Sequence, residues 1–177
     1  MKDNDTLENS TRTLVRDLMK VGVASCAPDA SVTEVAHMLR EKGIEAVIVL
    51  DPEEGHGLGM ISQNELADAF IREGANARSL TAEKIMRDDI PEVPPDIPLQ
   101  AAYQIMRDSR VRIVFLMHNA GGVKYPAASL SFSHLVRYLE AKDDSELSDL
   151  GIASDRTSPR EAFIQKRDAA RRARTGG

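Results

Sequence analysis

Apolar residues recur along this chain with two periods, and the periods alternate. Val32, Val35, Ala36 and Leu39 fall at i, i+3, i+4 and i+7, which lines one face of a helix. Ile44-Glu-Ala-Val-Ile-Val-Leu50 follows, a short β-branched run that suits a strand buried on both faces. Leu58-Gly-Met-Ile61 predicts a further short strand, and Leu66-Ala-Asp-Ala-Phe-Ile71 a second helix. The order then begins again. Leu99, Ala102, Tyr103 and Met106 repeat the helical face, and Val111-Arg-Ile-Val-Phe-Leu-Met117 repeats the buried strand. Ala127-Ala-Ser-Leu130 and Leu135-Val-Arg-Tyr-Leu139 supply the next strand and the closing helix.

A shift of 67 residues places Met19 on Met86, Pro28 on Pro95, Asp29 on Asp96, Arg40 on Arg107 and Val47 on Val114 without a gap. Past the buried strands the shift becomes 69, because the second loop is two residues longer. Each repeat reads strand, helix, strand, strand, helix in about 60 residues, too few for a comfortable interior of its own. Two repeats packed face to face are expected to form one mixed α/β (α+β) domain. The expected organisation is a flexible N-terminus (1–11), a first motif (12–75), a second (76–140), an acidic linker (141–157) and a basic tail (158–177). Ser158, Pro159 and Glu161 form a capping box, which predicts a tail helix from Pro159 to about Arg174.

Composition narrows the class. Of 177 residues, 42% are hydrophobic and 29% charged, ordinary for a globular chain. Only 4% are aromatic, so the core must come from Val, Ile, Leu, Met and Ala. The lone Cys26 excludes an internal disulfide and a zinc site made of several thiolates. MKDNDTLENS carries no apolar leader, and the longest apolar run, Ala46 to Leu50, is far short of the roughly 20 residues that span a bilayer. A cytoplasmic, reduced setting with no membrane contact is expected. The net charge of −5 hides a local +4 between Arg160 and Arg174, which leaves −9 on residues 1–159. An acidic body repels nucleic-acid phosphates. The tail, judged separately, reads as a solvated helix or one folded back on the acidic body, as a partner contact, or, least favoured, as a nucleic-acid contact. Phe163 and Ile164 are its only large apolar side chains, too few for membrane docking.

The order of motifs carries a family likeness. The first repeat has Leu18-Met19, Ala24-Ser-Cys26, Pro28-Asp29, Gly43-Ile44, Ala46 to Asp51 and Gly59-Met-Ile-Ser62-Gln-Asn-Glu65. The second has Ile85-Met86, Glu92-Val93, Pro95-Asp96, Arg110-Val111, Ile113 to Met117 and Ala128-Ser-Leu-Ser131-Phe-Ser-His134. Each half resembles a CBS motif, the module named for cystathionine β-synthase, and the whole resembles a tandem CBS pair (Bateman module) over about residues 12–140. The resemblance implies two β-α-β-β-α motifs packed as a pseudo-twofold pair and a non-catalytic, regulatory role such as energy sensing. It implies an adenosine-containing ligand (AMP, ADP, ATP or S-adenosylmethionine) in clefts between the motifs, a homodimer, and a partner protein that reads the ligand.

By the same resemblance, Ser25, Cys26, Ile44, Ala46 and Val47 line one adenine slot, and Glu92, Val93, Val111, Ile113 and Val114 the other. Ser62 and Glu65 take the ribose and phosphate side of the first site. Glu stands where the family carries Asp, and Ser-x-x-Glu is equally a helix cap. In the second site Ser131 is in place, but His134 replaces the carboxylate, and a neutral imidazole accepts one hydrogen bond where a carboxylate accepts several. Arg110 and Arg112 add cations, and Arg112 suits a phosphate. Read without the family, most of these residues are core and Cys26 is small filler, with no basic neighbour in sequence to activate its thiol. His37, His56, His118 and His134 show no metal-ligand spacing. Gly55-His-Gly57-Leu-Gly59 enters a strand rather than opening a helix, so it reads as a hairpin loop and not a phosphate loop. The rival from another class is a ligand-free dimerisation scaffold that presents the basic tail, and an enzyme is a distant third.

Overall fold

Amphipathic segments build the longer helices, and the apolar runs between them build two small sheets. The computed structural model describes residues 13–140; the linker and tail readings lie outside the described residues. In chain order the elements are α1 (Val15–Leu18), β1 (Lys20–Val21), β2 (Ser25–Cys26), α2 (Val32–Lys42), β3 (Ala46–Leu50), β4 (Gly57–Ser62) and α3 (Gln63–Glu73). A 3-10 turn (Gly74–Ser79) leads to α4 (Ala82–Ile85), α5 (Leu99–Asp108), β5 (Ile113–Ala120), β6 (Val123–Ser131) and α6 (Phe132–Glu140). The mixed α/β class is as expected, with the same architecture built twice.

Caps explain where the helices begin and end. Ser31 caps α2, accepting from the Glu34 N–H while the Glu34 carboxylate accepts from the Ser31 N–H at 2.7 Å. Gly43 ends α2 in the left-handed region at φ 57°. The equivalent residue after α5 is Arg110, at φ 53°. A side chain in that region costs about 1–2 kcal/mol that glycine avoids. In the β3–β4 hairpin the loop spans 51–56, and Gly57 to Gly59 of the sequence Gly55–Gly59 already pair in β4; the Asp51 carboxylate accepts from the Glu53 and Glu54 N–H groups at 2.9 and 2.7 Å. Those donors hold the Asp51 carboxyl below its ordinary value, with the Glu54 N–H acting most strongly. β5 and β6 run longer than their apolar stretches, because the polar residues between them continue the hairpin. Its turn uses Gly121 and Gly122 at φ 64° and 83°, and the Asn119 side chain accepts from the Gly122 N–H.

The sheets are β2-β3-β4 and β1-β6-β5. β2 runs parallel to β3, and β4 antiparallel to it. Single bridges extend both: Arg87 pairs antiparallel with Met60, and Glu92 pairs parallel with Phe115. The packed units are not the sequence repeats. One unit holds 13–22, 91–118 and 127–140 among the described residues, and the other holds 23–90 and 119–126. The opening segment of each repeat therefore folds into the other repeat's unit. In one, the Val15 and Arg16 N–H groups donate to the Ile97 and Pro95 carbonyls, and Leu99 N–H donates to Thr13. In the other, Ala82 and Glu83 donate to Ala30 and Pro28, and Val32 N–H donates to Leu80. The two Pro-Asp turns are thus docking points for the start of a helix.

Each unit has its own core. Val32, Val35, Leu39, Val47, Val49, Ile61, Ala82 and Ile85 pack in one. Val15, Leu18, Met19, Met106, Val114, Leu116 and Leu130 pack in the other. In the β2-β3-β4 unit the Arg87 strand approaches so closely that a Cβ on Gly59 would lie 2.5 Å from the Arg87 carbonyl oxygen and 2.9 Å from the Met86 sulfur. Gly59→Ala is therefore expected to destabilise the protein by about 1–3 kcal/mol through overpacking, read as a lower midpoint in urea denaturation. An unchanged midpoint would mean that this backbone contact is loose.

Candidate functional site

Strand register decides which candidate residues share a surface, because directly opposed residues point to the same face of a sheet. In the β2-β3-β4 unit, Cys26 lies opposite Val49 and Val47 opposite Ile61, on the face that packs the core. Ile44 also packs against that core. Ser25 lies opposite Ile48, and Ala46 opposite Ser62, on the other face. Of the residues named for the first site, Ser25, Ala46 and Ser62 come together there, and Cys26, Ile44 and Val47 belong to the core. Burial raises the pKa of the Cys26 thiol, which stays protonated at neutral pH. Its filler reading stands over a redox one.

The second set divides the same way. Val93, Val111 and Val114 sit in the core of the β1-β6-β5 unit. Ile113 lies one residue before Val114 and faces the opposite side. Glu92 pairs in parallel with Phe115, two residues beyond Ile113, and so shares its face. The Val93 N–H donates to the Phe115 carbonyl, and Phe115 N–H to Pro91, both at 2.9 Å. The Phe132 N–H donates to the Arg112 carbonyl at 3.0 Å, which brings Arg112 to the start of α6. The Arg112 guanidinium lies 5.7 Å from the centre of the Phe132 ring, which itself packs against Tyr103.

Both closing helices start at a serine, with different chemistry three residues on. Ser62 Oγ accepts from the Asn64 N–H. Oε2 of Glu65 accepts from the Ser62 N–H at 2.7 Å and from its hydroxyl at 2.5 Å. That oxygen is occupied by the cap. In the second unit Nδ1 of His134 takes the same place, accepting from the Ser131 N–H at 3.2 Å, while the His134 N–H reaches Ser131 Oγ at 3.4 Å. Accepting this bond requires a bare Nδ1, which puts the proton of the neutral ring on Nε2. Burial first, and then the charges of Arg137 and Lys20, push the imidazole from 6.5 down to about 4.

Sequence reasoning missed Lys20 as a neighbour of this site. β1 brings it in, paired opposite Ser129, and a two-residue strand carries no readable periodicity. Among the described residues no group of three His, Cys, Asp or Glu side chains is placed to hold a metal ion, and no helix is long and apolar enough to cross a membrane.

The family model of the CBS domain matches residues 15–72 and 82–141. The chain is 24% identical over 107 residues to the uncharacterized protein MK0525 of Methanopyrus kandleri. That stretch is 60% of this chain and 54% of the other, so the chain spans about half the length of this relative. It is 27% identical over 103 residues to hypoxic response protein 1 of Mycobacterium tuberculosis, 58% of this chain and 71% of that one. Among solved structures it resembles the CBS-domain containing protein ATU1752 from Agrobacterium tumefaciens, with a TM-score of 0.64 and 25% identity over 72% of this chain and 99% of the other. It also resembles the CBS domain pair of protein MJ0100, solved in complex with 5′-methylthioadenosine and S-adenosyl-L-methionine, with a TM-score of 0.61 and 20% identity. That alignment covers 74% of this chain and 98% of the other.

The buried imidazole makes stability depend on pH. Its folded pKa lies below its unfolded one, so the unfolded chain binds the extra proton. The contribution is complete above about pH 6.5 and is lost as pH falls from there through about 4, up to about 3 kcal/mol in all. Chemical denaturation of the protein and of His134→Gln, compared between pH 4 and 8, is expected to show wild-type stability falling more steeply on the acid side. Parallel curves would mean that His134 is solvated in both states.

Proposed function

Because the chain belongs to the CBS-domain family, as two such domains in tandem, we propose that it is a non-catalytic regulatory module. It takes up an adenosine-containing ligand (AMP, ADP, ATP or S-adenosylmethionine) and passes its occupancy to a partner protein. One observation carries this reading. Each unit repeats the same combination on one sheet face, a small or apolar strand residue beside a serine that begins a helix. These are Ala46, opposite Ser62 in one unit, and in the other Ile113 and Ser131, the next residues inward from the Arg112 carbonyl and Phe132 N–H that bond between β5 and the start of α6. An apolar slot with backbone donors suits adenine, and a hydroxyl at a helix start suits ribose and phosphate oxygens.

The two sets are chemically unequal. Residues 23–90 with 119–126 hold seven Lys and Arg against thirteen Asp and Glu, a net −6. The described residues of the other unit hold six against five, a net +1. Arg112 stands at the start of α6 in this second unit. Phosphorylated ligands therefore favour the Ser131 set. Ligand binding then shifts the population of conformations that the partner reads. A second copy of the chain is the proposed occupant of the apolar residues Tyr103, Val136 and Tyr138, which stand exposed on α5 and α6. They belong to the unit with almost no net charge, so two copies meet there with little repulsion.

The adaptor reading is kept because one carboxylate oxygen of Glu65 is already taken by its cap and a neutral imidazole fills the other position. Titration with AMP, ADP, ATP, S-adenosylmethionine and GTP decides between them. Ligand at 100 times its dissociation constant adds about 2.7 kcal/mol, a rise in Tm of roughly 5–10 °C for a chain of this size. The sensor is expected to respond to an adenosine compound and not to GTP. Arg112→Ala should weaken ATP more than adenosine, and Glu65→Gln should weaken ribose-containing ligands only if the first set is used. A flat response to every compound at millimolar concentration selects the adaptor. Sedimentation tests the self-association: Tyr138→Asp is expected to turn a dimer into a monomer, and an unchanged mass would remove α6 from the interface.

A further inference from the structure

Helices α2 and α5 both run into a left-handed residue, and only α2 uses glycine for it. The Gly43 N–H donates to the Arg40 carbonyl at 3.3 Å, and the Ile44 N–H to Leu39 at 3.1 Å. After α5 the Arg110 N–H donates to the Arg107 carbonyl at 3.2 Å, and the Val111 N–H to Met106 at 2.9 Å. The backbone bonds match, and so does φ, 57° at Gly43 and 53° at Arg110. Glycine would therefore serve this turn, and an arginine strains it with no gain to the fold. No salt bridge or side-chain hydrogen bond holds the Arg110 guanidinium among the described residues.

The charges around the two turns differ as well. Residues 40–45 hold Arg40, Glu41, Lys42 and Glu45, a net of zero, and Arg40 pairs with Glu41 at 3.3 Å. Residues 107–112 hold Arg107, Asp108, Arg110 and Arg112, a net +2, with all three arginines exposed. The carboxylate among them, Asp108, accepts from Gln104 Nε2 at 2.7 Å and not from an arginine. Arg112 stands where the first repeat has Glu45, and its carbonyl accepts from the Phe132 N–H beside Ser131. Arg110 is two residues from Arg112, at most about 7 Å along the chain. Three guanidinium groups thus gather at one edge of the Ser131 set, in a chain of net −5. Each fork matches the oxygens of a phosphate. Arg112 suffices for one phosphate, and Arg107 and Arg110 add forks for the next.

We propose that Arg107 and Arg110 join Arg112 as a polyphosphate-binding corner. Where it rests on the nucleotide reading above, the corner selects ATP and ADP over AMP, and over S-adenosylmethionine with its cationic sulfonium. The left-handed turn then has a use, because it carries a guanidinium where glycine would carry none.

Calorimetric titration of the full chain tests this, at low salt and with EDTA so that no metal masks the phosphates. The ligands are ATP, AMP, adenosine and inorganic tripolyphosphate, and the variants are Arg110→Gly and Arg107→Gln. ATP is expected to bind about tenfold tighter than AMP, and each variant to weaken ATP and tripolyphosphate by about tenfold, the loss expected for one charge-assisted hydrogen bond. Adenosine should change by less than about twofold, since it brings no charge for these groups to meet. Arg110→Gly should also raise the urea midpoint by relieving the turn, so that misfolding does not explain its weaker binding. Unchanged affinity for both polyphosphates in the variants overturns the corner, and so does failure of the wild type to bind either. Adenosine or AMP binding would in that case still support the nucleotide reading. Tripolyphosphate binding that both variants weaken, with no response to AMP or adenosine, leaves the corner standing and removes the nucleotide reading instead.

Discussion

Everything else in this structure depends on the reciprocal exchange of opening segments. A four-residue helix and a two-residue strand are far too short to persist alone, since helix nucleation costs more than a few hydrogen bonds return. Both become ordered because their N–H groups meet carbonyls that the other repeat has already aimed. Pro28 and Ala30 receive Glu83 and Ala82, and Pro95 and Ile97 receive Arg16 and Val15. Proline suits this position, because its fixed φ holds the turn open while its carbonyl remains free to accept. Val15, Leu18 and Met19 are then 1% exposed or less, so the exchanged segment supplies core and not decoration. Neither repeat closes its interior without the other.

The exchange copies backbone geometry more faithfully than side-chain chemistry. Arg16 forms an ion pair with Asp96 at its docking point, whereas the equivalent residue at the Asp29 turn is Glu83. The backbone hydrogen bonds are the same in both, so the docking does not require the exposed ion pair. The helix starts behave likewise. Glu65 accepts from the Ser62 N–H and His134 from the Ser131 N–H, one with a carboxylate oxygen and one with the Nδ1 of a neutral imidazole. What the fold demands at that position is an acceptor for one N–H, and either group provides it.

This explains how far the sequence could be read. Helices α2, α3 and α5 and the β3–β4 hairpin follow from local signals: the 3.6 period, capping serines, Gly43 and the Asp51 turn. The exchange was not legible, because nothing in Lys20-Val21 or in Val15 to Leu18 says which sheet will take them. The 67-residue shift marks them as repeated without saying where they pack. The candidate site was legible as a set of positions and not as a surface. Strand alternation separates Ser25, Ala46 and Ser62 from Cys26 and Val47, but only once register shows that Ala46 lies opposite Ser62 and Cys26 opposite Val49. Lys20 was invisible for the same reason as β1, though its charge acts on His134.

Charge is where the two halves have separated most. Duplicated backbone with a net −6 in one unit and +1 in the other gives a ligand or partner two unequal surfaces on similar frames. A polyphosphate would meet net negative charge in the first and Arg112 in the second, so the same serine at the same helix start need not have the same use. The departures at Glu65 and His134 are therefore not losses to the fold: each half keeps the acceptor that caps its closing helix and is free to change the chemistry around it.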